Sequence, residues 1–254
     1  MIRRALARVG FELRRTKGGG PRRTLTEVLA HLRELGLAPG TVVDVGVAWG
    51  TAGLYEAFPN ARHLLVEPLA EYEDALRGIA KRHGADYVLA AAGPAAGETE
   101  IVVHRVPTLS SPLGERGGDA AGASTRRTVP VVRLDELVAE RGLPGPYVVK
   151  ADVEGAELQV LEGASAILAD TELVLLETSL FPFWDGAPVL ADVIAWMREH
   201  GFAVYDVYGG HLRPLDGALA QLDVAFVRED GRFRADSDYA TPEQAERLYS
   251  RWGL

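Results

Sequence analysis

The sequence of 254 residues contains no cysteine. This absence excludes disulfide bonds, cysteine nucleophiles and thiolate metal sites. Also absent is any apolar run near the roughly 18 residues that a membrane-spanning helix needs, and the first residues lack the apolar block of a signal peptide. We therefore expect a cytoplasmic protein without a transmembrane segment. The chain has no internal repeat, and a single α/β domain is expected because such domains commonly run to roughly 200 to 250 residues.

Charge is distributed unevenly along the chain. The net charge is -9, yet residues 1–23 carry eight Lys or Arg and one Glu. The rest of the chain is therefore strongly acidic, which argues against nucleic acid as the main partner. Within the basic segment apolar residues recur at helical spacing, namely Ile2, Leu6, Val9 and Leu13. This stripe favours a helix that caps the domain or packs on a second subunit, with an anionic membrane surface or an acidic partner as the alternative.

The remaining pattern alternates between strands and helices. Short β-branched or apolar runs predict strands at residues 41–47, 63–66, 87–92, 147–152 and 173–177, with amphipathic helices at 24–37, 69–83, 157–168 and 189–200. Such alternation predicts parallel crossovers and a doubly wound sheet. Two last strands, 202–207 and 222–227, are joined by a turn at 208–214 that is too short for a crossover, so they are expected to pair antiparallel. Between the predicted strands at 87–92 and 147–152, two further strands at 101–106 and 128–134 flank a predicted loop at 108–124. A helix closes the chain at 241–254, with Thr241 as N-cap.

A glycine-rich turn follows the first strand. It reads Asp44-Val-Gly46-Val-Ala48-Trp-Gly50, with small residues at every second position. Glycines allow backbone to approach a ligand closely. The spacing differs from the GxGxxG of dinucleotide sites, and the leading acid would repel a phosphate. The turn therefore favours a ligand with a cationic centre and no phosphate, of which S-adenosylmethionine is the obvious one.

The second strand ends in a further acid, in the pair Glu67-Pro68. A carboxylate about 20 residues after such a glycine turn commonly accepts the ribose hydroxyls of a nucleoside. The turn and Glu67 together predict a nucleoside site. The predicted cofactor-binding residues are Asp44, Gly46, Ala48, Gly50, Glu67, Pro68, Ala91 and Asp152.

A third cluster lies where the strand at 147–152 becomes a helix. Lys150, Asp152 and Glu154 alternate at its end, and Glu157 follows at the helix start. Carboxylates at this point lie over the crevice at the carboxyl edge of an open sheet. Asp152 is the first candidate for chemistry, Glu154 is ambiguous, and Glu157 is expected to be structural because an acid at a helix start is stabilised by the dipole.

These segments together resemble the FkbM family of S-adenosylmethionine-dependent methyltransferases. The most specific part is Lys150-Ala-Asp152-Val-Glu154-Gly155-Ala-Glu157, preceded by Val132-Arg-Leu134-Asp135-Glu-Leu137. The resemblance implies a Rossmann-like class I sheet of seven mostly parallel strands with an antiparallel last strand, preceded by N-terminal helices. It also implies methyl transfer to a hydroxyl of a sugar, polyketide or related natural product. Ala48 stands where members often carry Asn, so one polar cofactor contact differs.

On this basis the chain divides into an N-terminal helical segment at 1–40 that serves as a lid or dimer contact, a methyltransferase domain at 41–230, and a C-terminal helix of the same domain at 231–254. A homodimer is possible. Methyl transfer needs an oriented acceptor and a base for its proton. Acids and histidines at the carboxyl ends of strands are the candidates. The predicted catalytic residues are Asp152, Glu177 and His211, and the predicted acceptor-binding residues are Glu154, Phe181, Trp184 and Asp223.

Three alternatives remain open at this point. Asp152 and Glu177 end adjacent predicted strands, so they would be the ligands of a Mg²⁺ ion if the reaction depended on one. Metal-free catalysis is favoured, because two ligands make a weak cluster. An NAD-dependent oxidoreductase would use the same early strands but lacks the GxGxxG spacing. A non-catalytic nucleoside-binding protein would keep the fold without needing a base.

Overall fold

The computed structural model describes residues 20–117 and 124–252. The predicted amphipathic helix of the N-terminus therefore lies outside the described residues. Within them, the α-helices are α1 (Leu25–Glu34), α2 (Ala52–Ala57), α3 (Glu73–His83), α4 (Leu134–Glu140), α5 (Glu157–Glu162), α6 (Leu190–Glu199) and α7 (Pro242–Trp252). The strands are β1 (Thr41–Val45), β2 (Arg62–Val66), β3 (Asp86–Val88), β4 (Ala91–Ala92), β5 (Gly97–His104), β6 (Ser124–Val132), β7 (Tyr147–Ala151), β8 (Thr171–Ser179), β9 (Phe202–Leu212) and β10 (Leu219–Arg228).

Seven of these strands form the main sheet, in the order β3-β2-β1-β7-β8-β10-β9. The pairs from β3 to β8 are parallel, whereas β10 runs antiparallel to both β8 and β9. The seven-stranded, mostly parallel sheet with an antiparallel last strand is therefore confirmed. Its order reverses at β1 and β7, and ligands of open α/β sheets bind outside the carboxyl ends of the strands at such a switch point.

The core lies on both faces of this sheet. Alternation along β1 directs Val43 and Val45 into the layer formed with α4, α5 and α6, whereas Val42 faces α1, α2 and α3. In β7 the same alternation separates Val149 from Val148. Strands that are apolar on both faces are typical of a sheet covered by helices on each side. The helices therefore cover both faces and leave the carboxyl edge of the strands open.

The third predicted strand, 87–92, is wrong as a single element. It divides into β3, which joins the main sheet, and β4, which lies in a second sheet of order β4-β6-β5. The backbone changes sheet after β3, and Gly93 N–H then donates to the carbonyl of Val132 at 3.0 Å. The strands predicted at 101–106 and 128–134 are both present, shifted to Gly97–His104 and Ser124–Val132, but their pairing into this second sheet was not predicted.

Several other boundaries differ from the sequence predictions, and side-chain contacts explain two of these differences. Helix α5 ends at Glu162 rather than near residue 168, since the carboxylate of Asp135 accepts the amides of Ala166 and Ile167 and leaves a separate 3-10 turn there. The last hairpin turns at 213–218 and not at 208–214, because Arg213 and Asp216 form an ion pair across the turn.

The predicted start of the last helix is confirmed. The Thr241 hydroxyl accepts the amide of Gln244, and the Thr241 amide donates to the Gln244 side chain at 2.9 Å. Thr24 and Glu27 form the same reciprocal arrangement at the start of α1. Such capping satisfies amides that have no partner within the helix.

None of the helices in the described residues has the length and apolar character that crossing a membrane requires.

The contact between the end of α5 and the residue after β4 gives a test of the fold. A Cβ atom at Gly163, after α5, would lie 2.0 Å from the carbonyl oxygen of Gly93, which follows β4. We expect Gly163→Ala to destabilise the protein by about 1 to 3 kcal/mol, because backbone must move to relieve this overlap. Thermal unfolding measures the change. Gly78→Ala is the matched control: its Cβ meets nothing within 4 Å, so within α3 it should stabilise by roughly 0.5 to 1 kcal/mol. Equal effects of the two substitutions would contradict the contact.

Candidate functional site

A cavity of about 440 Å³ opens at the carboxyl ends of β1, β2 and β7. Its volume falls within the range of roughly 300 to 1,000 Å³ that is usual for small-molecule sites. The turn after β1 and the end of β2 line one side. The segment after β7 and the last hairpin line the other. The cavity thus lies at the switch point of the sheet.

The turn after β1 can reach the cavity only because it contains glycine. Gly46 has φ of +76°, and a Cβ there would lie 1.8 Å from the carbonyl oxygen of Asp152. Gly50 has φ of +100°, and its Cβ would lie 2.5 Å from Ile79. Ala48 between them also has a positive φ, of 45°. The backbone of this turn is therefore held in a conformation that side chains at Gly46 and Gly50 would prevent.

Glu67 closes the same side of the cavity. Its side chain is 4% exposed, and its two oxygens accept the amides of Ala48 and Leu69, each at 2.9 Å. Burial raises the pKa of Glu67, and the two amides oppose that rise. Pro68 and Ala91 line the cavity beside it. All predicted cofactor residues other than Asp44 therefore lie on one cavity.

Asp44 is the exception. It is fully buried and does not line the cavity. Because it lies two residues after Val42 in β1, its side chain is on the same face of the sheet, the face covered by α1, α2 and α3. There its Oδ2 accepts the hydroxyl of Tyr55 at 2.5 Å. Its Oδ1 lies 3.5 Å from Nζ of Lys150. The predicted direct contact between Asp44 and a cofactor does not fit this position.

Lys150 lies between two carboxylates. Its Nζ is 3.2 Å from Oδ2 of Asp152 as well as 3.5 Å from Asp44. Burial opposes the charged form of this lysine, but the charges of Asp152 and Asp44 outweigh it and raise the pKa. Lys150 therefore remains cationic and serves as the counter-ion of Asp152, the first of the predicted catalytic residues.

Glu154 lies in the cavity with an unusual backbone. Its φ of 54° is in the left-handed region, and its carbonyl accepts the hydroxyl of Ser111 at 2.8 Å. Residues with a side chain that are held in this region often mark functional sites. Burial, followed by the charge of Asp152, raises the pKa of Glu154 to about 8. Burial and the charge of Asp152 likewise raise the pKa of Asp223, in the last hairpin, to about 6.

Glu157 has the role expected of it. It is buried, and its Oε1 accepts the amides of Val153 and Gly155, both at 3.1 Å. These bonds fix the backbone on either side of Glu154. The carboxylate of Glu157 therefore holds the shape of the turn that follows β7.

The other two predicted catalytic residues do not line the cavity. Glu177, on β8, accepts Nε2 of Gln221 at 2.7 Å, and the same nitrogen lies 3.4 Å from Oε2 of Glu154. Burial and the charges of Asp152 and Glu154 raise the pKa of Glu177. His211 is exposed on β9, because that strand continues past the predicted turn. Glu177 thus contacts Glu154 through Gln221, and His211 lies apart.

The predicted aromatic wall of the acceptor site also lies elsewhere. Phe181 stacks under the guanidinium of Arg213 at 3.8 Å. Trp184 is buried, and a Cβ at Gly155 would lie 3.3 Å from its ring. Neither residue lines the cavity. The large apolar ring of Trp184 instead fills the space beneath the turn after β7.

Three aromatic residues on the cavity, Trp49, Tyr72 and Tyr208, were not among the predicted site residues. Trp49 is 74% exposed and meets Tyr72 edge to face at 5.2 Å. It lies inside the glycine turn, so its position beside Gly50 was a usable signal. Tyr208 is buried on β9, and burial with the charge of Asp223 raises its pKa. The sequence predicts a turn at this position, and nothing in the local sequence distinguishes Tyr208 as a site residue.

No group of three or more His, Asp or Glu side chains in residues 20–117 and 124–252 is arranged to hold a metal ion. Asp152 and Glu177 are therefore not part of such a group in the described residues.

Comparison with known proteins gives a family match. The sequence model of one family, described as Methyltransferase FkbM domain, matches residues 44–204, more than half of the chain. The chain is 37% identical over 67 residues to the hexuronic acid methyltransferase AglP of Haloferax volcanii, and 35% identical over 74 residues to the 31-O-demethyl-FK506 methyltransferase FkbM of Streptomyces tacrolimicus. These alignments cover 26% and 29% of this chain, and 28% and 27% of the two relatives.

Solved structures give a more distant likeness. The magnesium protoporphyrin IX methyltransferase ChlM from Synechocystis PCC 6803, with bound SAM, aligns at a TM-score of 0.43 and 11% identity, over 83% of this chain and 86% of that one.

The raised pKa of Glu154 predicts a pH-dependent stability. A carboxyl whose pKa rises from 4.5 to about 8 on folding stabilises the folded state most below pH 4.5, and this contribution is lost as the pH rises to 8. We expect Glu154→Gln to remove that loss, so that between pH 5 and pH 9 the variant loses ~4 kcal/mol less free energy of unfolding than the wild type. Urea unfolding at both pH values measures this. The exposed Glu162→Gln is the control, and parallel curves for Glu154→Gln and the wild type would refute the assignment.

Proposed function

Because the chain belongs to the FkbM methyltransferase family, we propose that it transfers a methyl group from S-adenosylmethionine to a hydroxyl of a sugar, polyketide or related natural product. The observation that supports this most is one cavity with two unlike sides. The glycine turn and Glu67 lie on one side, and Lys150, Asp152 and Glu154 on the other. A nucleoside site thus faces a site for an acceptor.

The cofactor side fits S-adenosylmethionine. Gly46 and Ala48 line the cavity and are partly exposed, so a ligand can approach their backbone closely. Glu67 keeps lone pairs for ribose hydroxyls beyond its two amide bonds. When bound, the cofactor supplies an electrophilic methyl group on a cationic sulfur. The carboxylates across the cavity favour such a positive centre over a phosphate. These features support the predicted roles of Gly46, Ala48, Gly50, Glu67, Pro68 and Ala91.

On the acceptor side we assign the proton-accepting role to Asp152. It is partly exposed to the cavity, and Lys150 stabilises its negative charge from 3.2 Å. A carboxylate in this position can orient the acceptor hydroxyl and accept its proton. Glu154 is largely protonated near neutral pH, so it donates a hydrogen bond to the acceptor more readily than it accepts a proton. Asp223 and Tyr208 complete the acceptor side.

The names of the two relatives support the substrate class. One acts on a hexuronic acid, and the other carries a 31-O-demethyl substrate in its name. The chain spans less than a third of either relative, so oxygen methylation of this kind is a proposal for the present protein.

The two competing functions can be separated by binding and turnover. Isothermal titration calorimetry with S-adenosylhomocysteine and with NAD tests the oxidoreductase hypothesis. The match to a methyltransferase family counts against that hypothesis. Tight binding of NAD without binding of S-adenosylhomocysteine would overturn the proposal. Turnover with a panel of sugar and polyketide alcohols distinguishes an enzyme from a nucleoside-binding protein.

Asp152→Asn tests the acceptor side. We expect turnover to fall by about 10² to 10⁴, which is the usual contribution of a positioned acid or base. The dissociation constant of S-adenosylhomocysteine should change little, because the amide keeps the size of the side chain. The exposed Glu199→Gln is the control. Unchanged turnover of the Asp152 variant would remove this residue from the mechanism.

Chelation tests the need for a metal ion. We expect EDTA to leave turnover unchanged, since Glu177 accepts Gln221 and lies outside the cavity rather than beside Asp152 in it. Turnover is measured after dialysis against EDTA and again after adding back Mg²⁺. A loss with EDTA that Mg²⁺ restores would show that the reaction depends on a metal ion.

A further inference from the structure

Tyr55 makes a buried connection that the proposed reaction does not use. It lies on α2 and is 1% exposed. Its hydroxyl donates to Oδ2 of Asp44 at 2.5 Å and accepts the amide of Thr51 at 3.0 Å. The ring meets the imidazoles of His63 and His83 at 5.6 and 5.4 Å. Burial, followed by the charge of Asp44, raises the pKa of Tyr55, so the hydroxyl remains protonated and able to donate.

This connection holds the far end of the glycine turn. Near the start of the turn, Gly46 donates to the carbonyl of Val66 at 2.9 Å, and Ala48 donates to Glu67 at 2.9 Å. Both of these contacts are to β2 or the residue after it. Thr51 ends the turn and precedes α2, and its side chain makes no capping hydrogen bond. Its amide is held by Tyr55, which is itself held by Asp44 on β1.

The connection continues to the acceptor side of the cavity. Asp44 lies beside Lys150 in the register of β1 and β7, and Lys150 contacts Asp152. A buried aspartate without hydrogen bonds to its charge would be costly. The Tyr55 hydroxyl and the Lys150 ammonium each approach one oxygen of Asp44. One set of contacts thus joins the turn at Thr51 to the carboxylate at Asp152.

We propose that Tyr55 is a positioning residue that fixes the turn from Gly46 to Thr51 in its ligand-binding conformation. Asp44 then affects the cofactor side through Tyr55 and Thr51, and not by touching the ligand. The inference rests on the proposed cofactor site. It explains why an acid at the end of β1 is fully buried although the turn that follows lines the cavity.

Tyr55→Phe tests the proposal because it removes only the hydroxyl. We expect the dissociation constant of S-adenosylhomocysteine to rise ~tenfold, as for loss of one hydrogen bond to a charged group. In the protein without ligand, hydrogen exchange should become faster at the amides of residues 46–51. Tyr147→Phe is the matched control: Tyr147 is also buried, and its hydroxyl makes one bond, to the carbonyl of Leu143 at 3.0 Å, at the opposite end of its strand.

The control separates positioning from general stability. Both phenylalanine variants should lower the melting temperature, but only Tyr55→Phe should change ligand affinity and exchange at the turn. Unchanged affinity and unchanged exchange at residues 46–51 would overturn the proposal, as would equal effects of both variants. If Tyr55→Phe folds poorly, the same substitution is made in the Gly78→Ala background.

Failure of the proposed cofactor site would look different. Wild-type protein that does not bind S-adenosylhomocysteine would contradict the cofactor site. Hydrogen exchange in the ligand-free protein would still show whether Tyr55 fixes the turn.

Discussion

The close approach of two turns determines where this protein can bind a ligand. A Cβ at Gly46 would lie 1.8 Å from the carbonyl oxygen of Asp152, and the amide of Asp152 donates to Val45 at 3.1 Å. Parallel strands end at the same edge of a sheet, so β1 and β7 deliver their turns side by side. Because no side chain separates them, the glycine turn and the acidic turn form two sides of one cavity.

Charge imposes the second constraint on this cavity. Asp152, Glu154, Glu177 and Asp223 are close enough for the charge of Asp152 to raise the pKa of the other three, and Lys150 is the nearby cation. Buried carboxyls in such a group lower their cost by retaining protons. Nζ of Lys150 lies 3.2 Å from Oδ2 of Asp152, the residue whose charge acts on the other three. Such a site favours a cationic or neutral ligand over an anionic one, which agrees with a sulfonium centre and a hydroxyl acceptor.

Much of the main sheet followed from the sequence because its signals are local. Alternation of strands and helices predicts parallel pairing, and a link too short for a helix predicts the antiparallel strand β10. The second sheet had no such signal. Its strand β4 is only Ala91–Ala92, and two alanines after β3 read as a continuation of that strand. Pairing between β4, β5 and β6 depends on distant parts of the chain, which periodicity does not reveal.

The site residues show how finely a strand boundary must be known. Glu67 follows the last residue of β2, Val66, and its side chain lines the cavity. Asp44 lies within β1, which ends at Val45, so alternation turns it toward α2 and away from the open edge. His211 is likewise within β9 and not in a turn. Each is a polar residue near a strand end, and a shift of one or two residues decides whether it meets the ligand. Sequence periodicity locates strands less precisely than that, so it predicts the edge at which chemistry occurs better than the side chains that perform it.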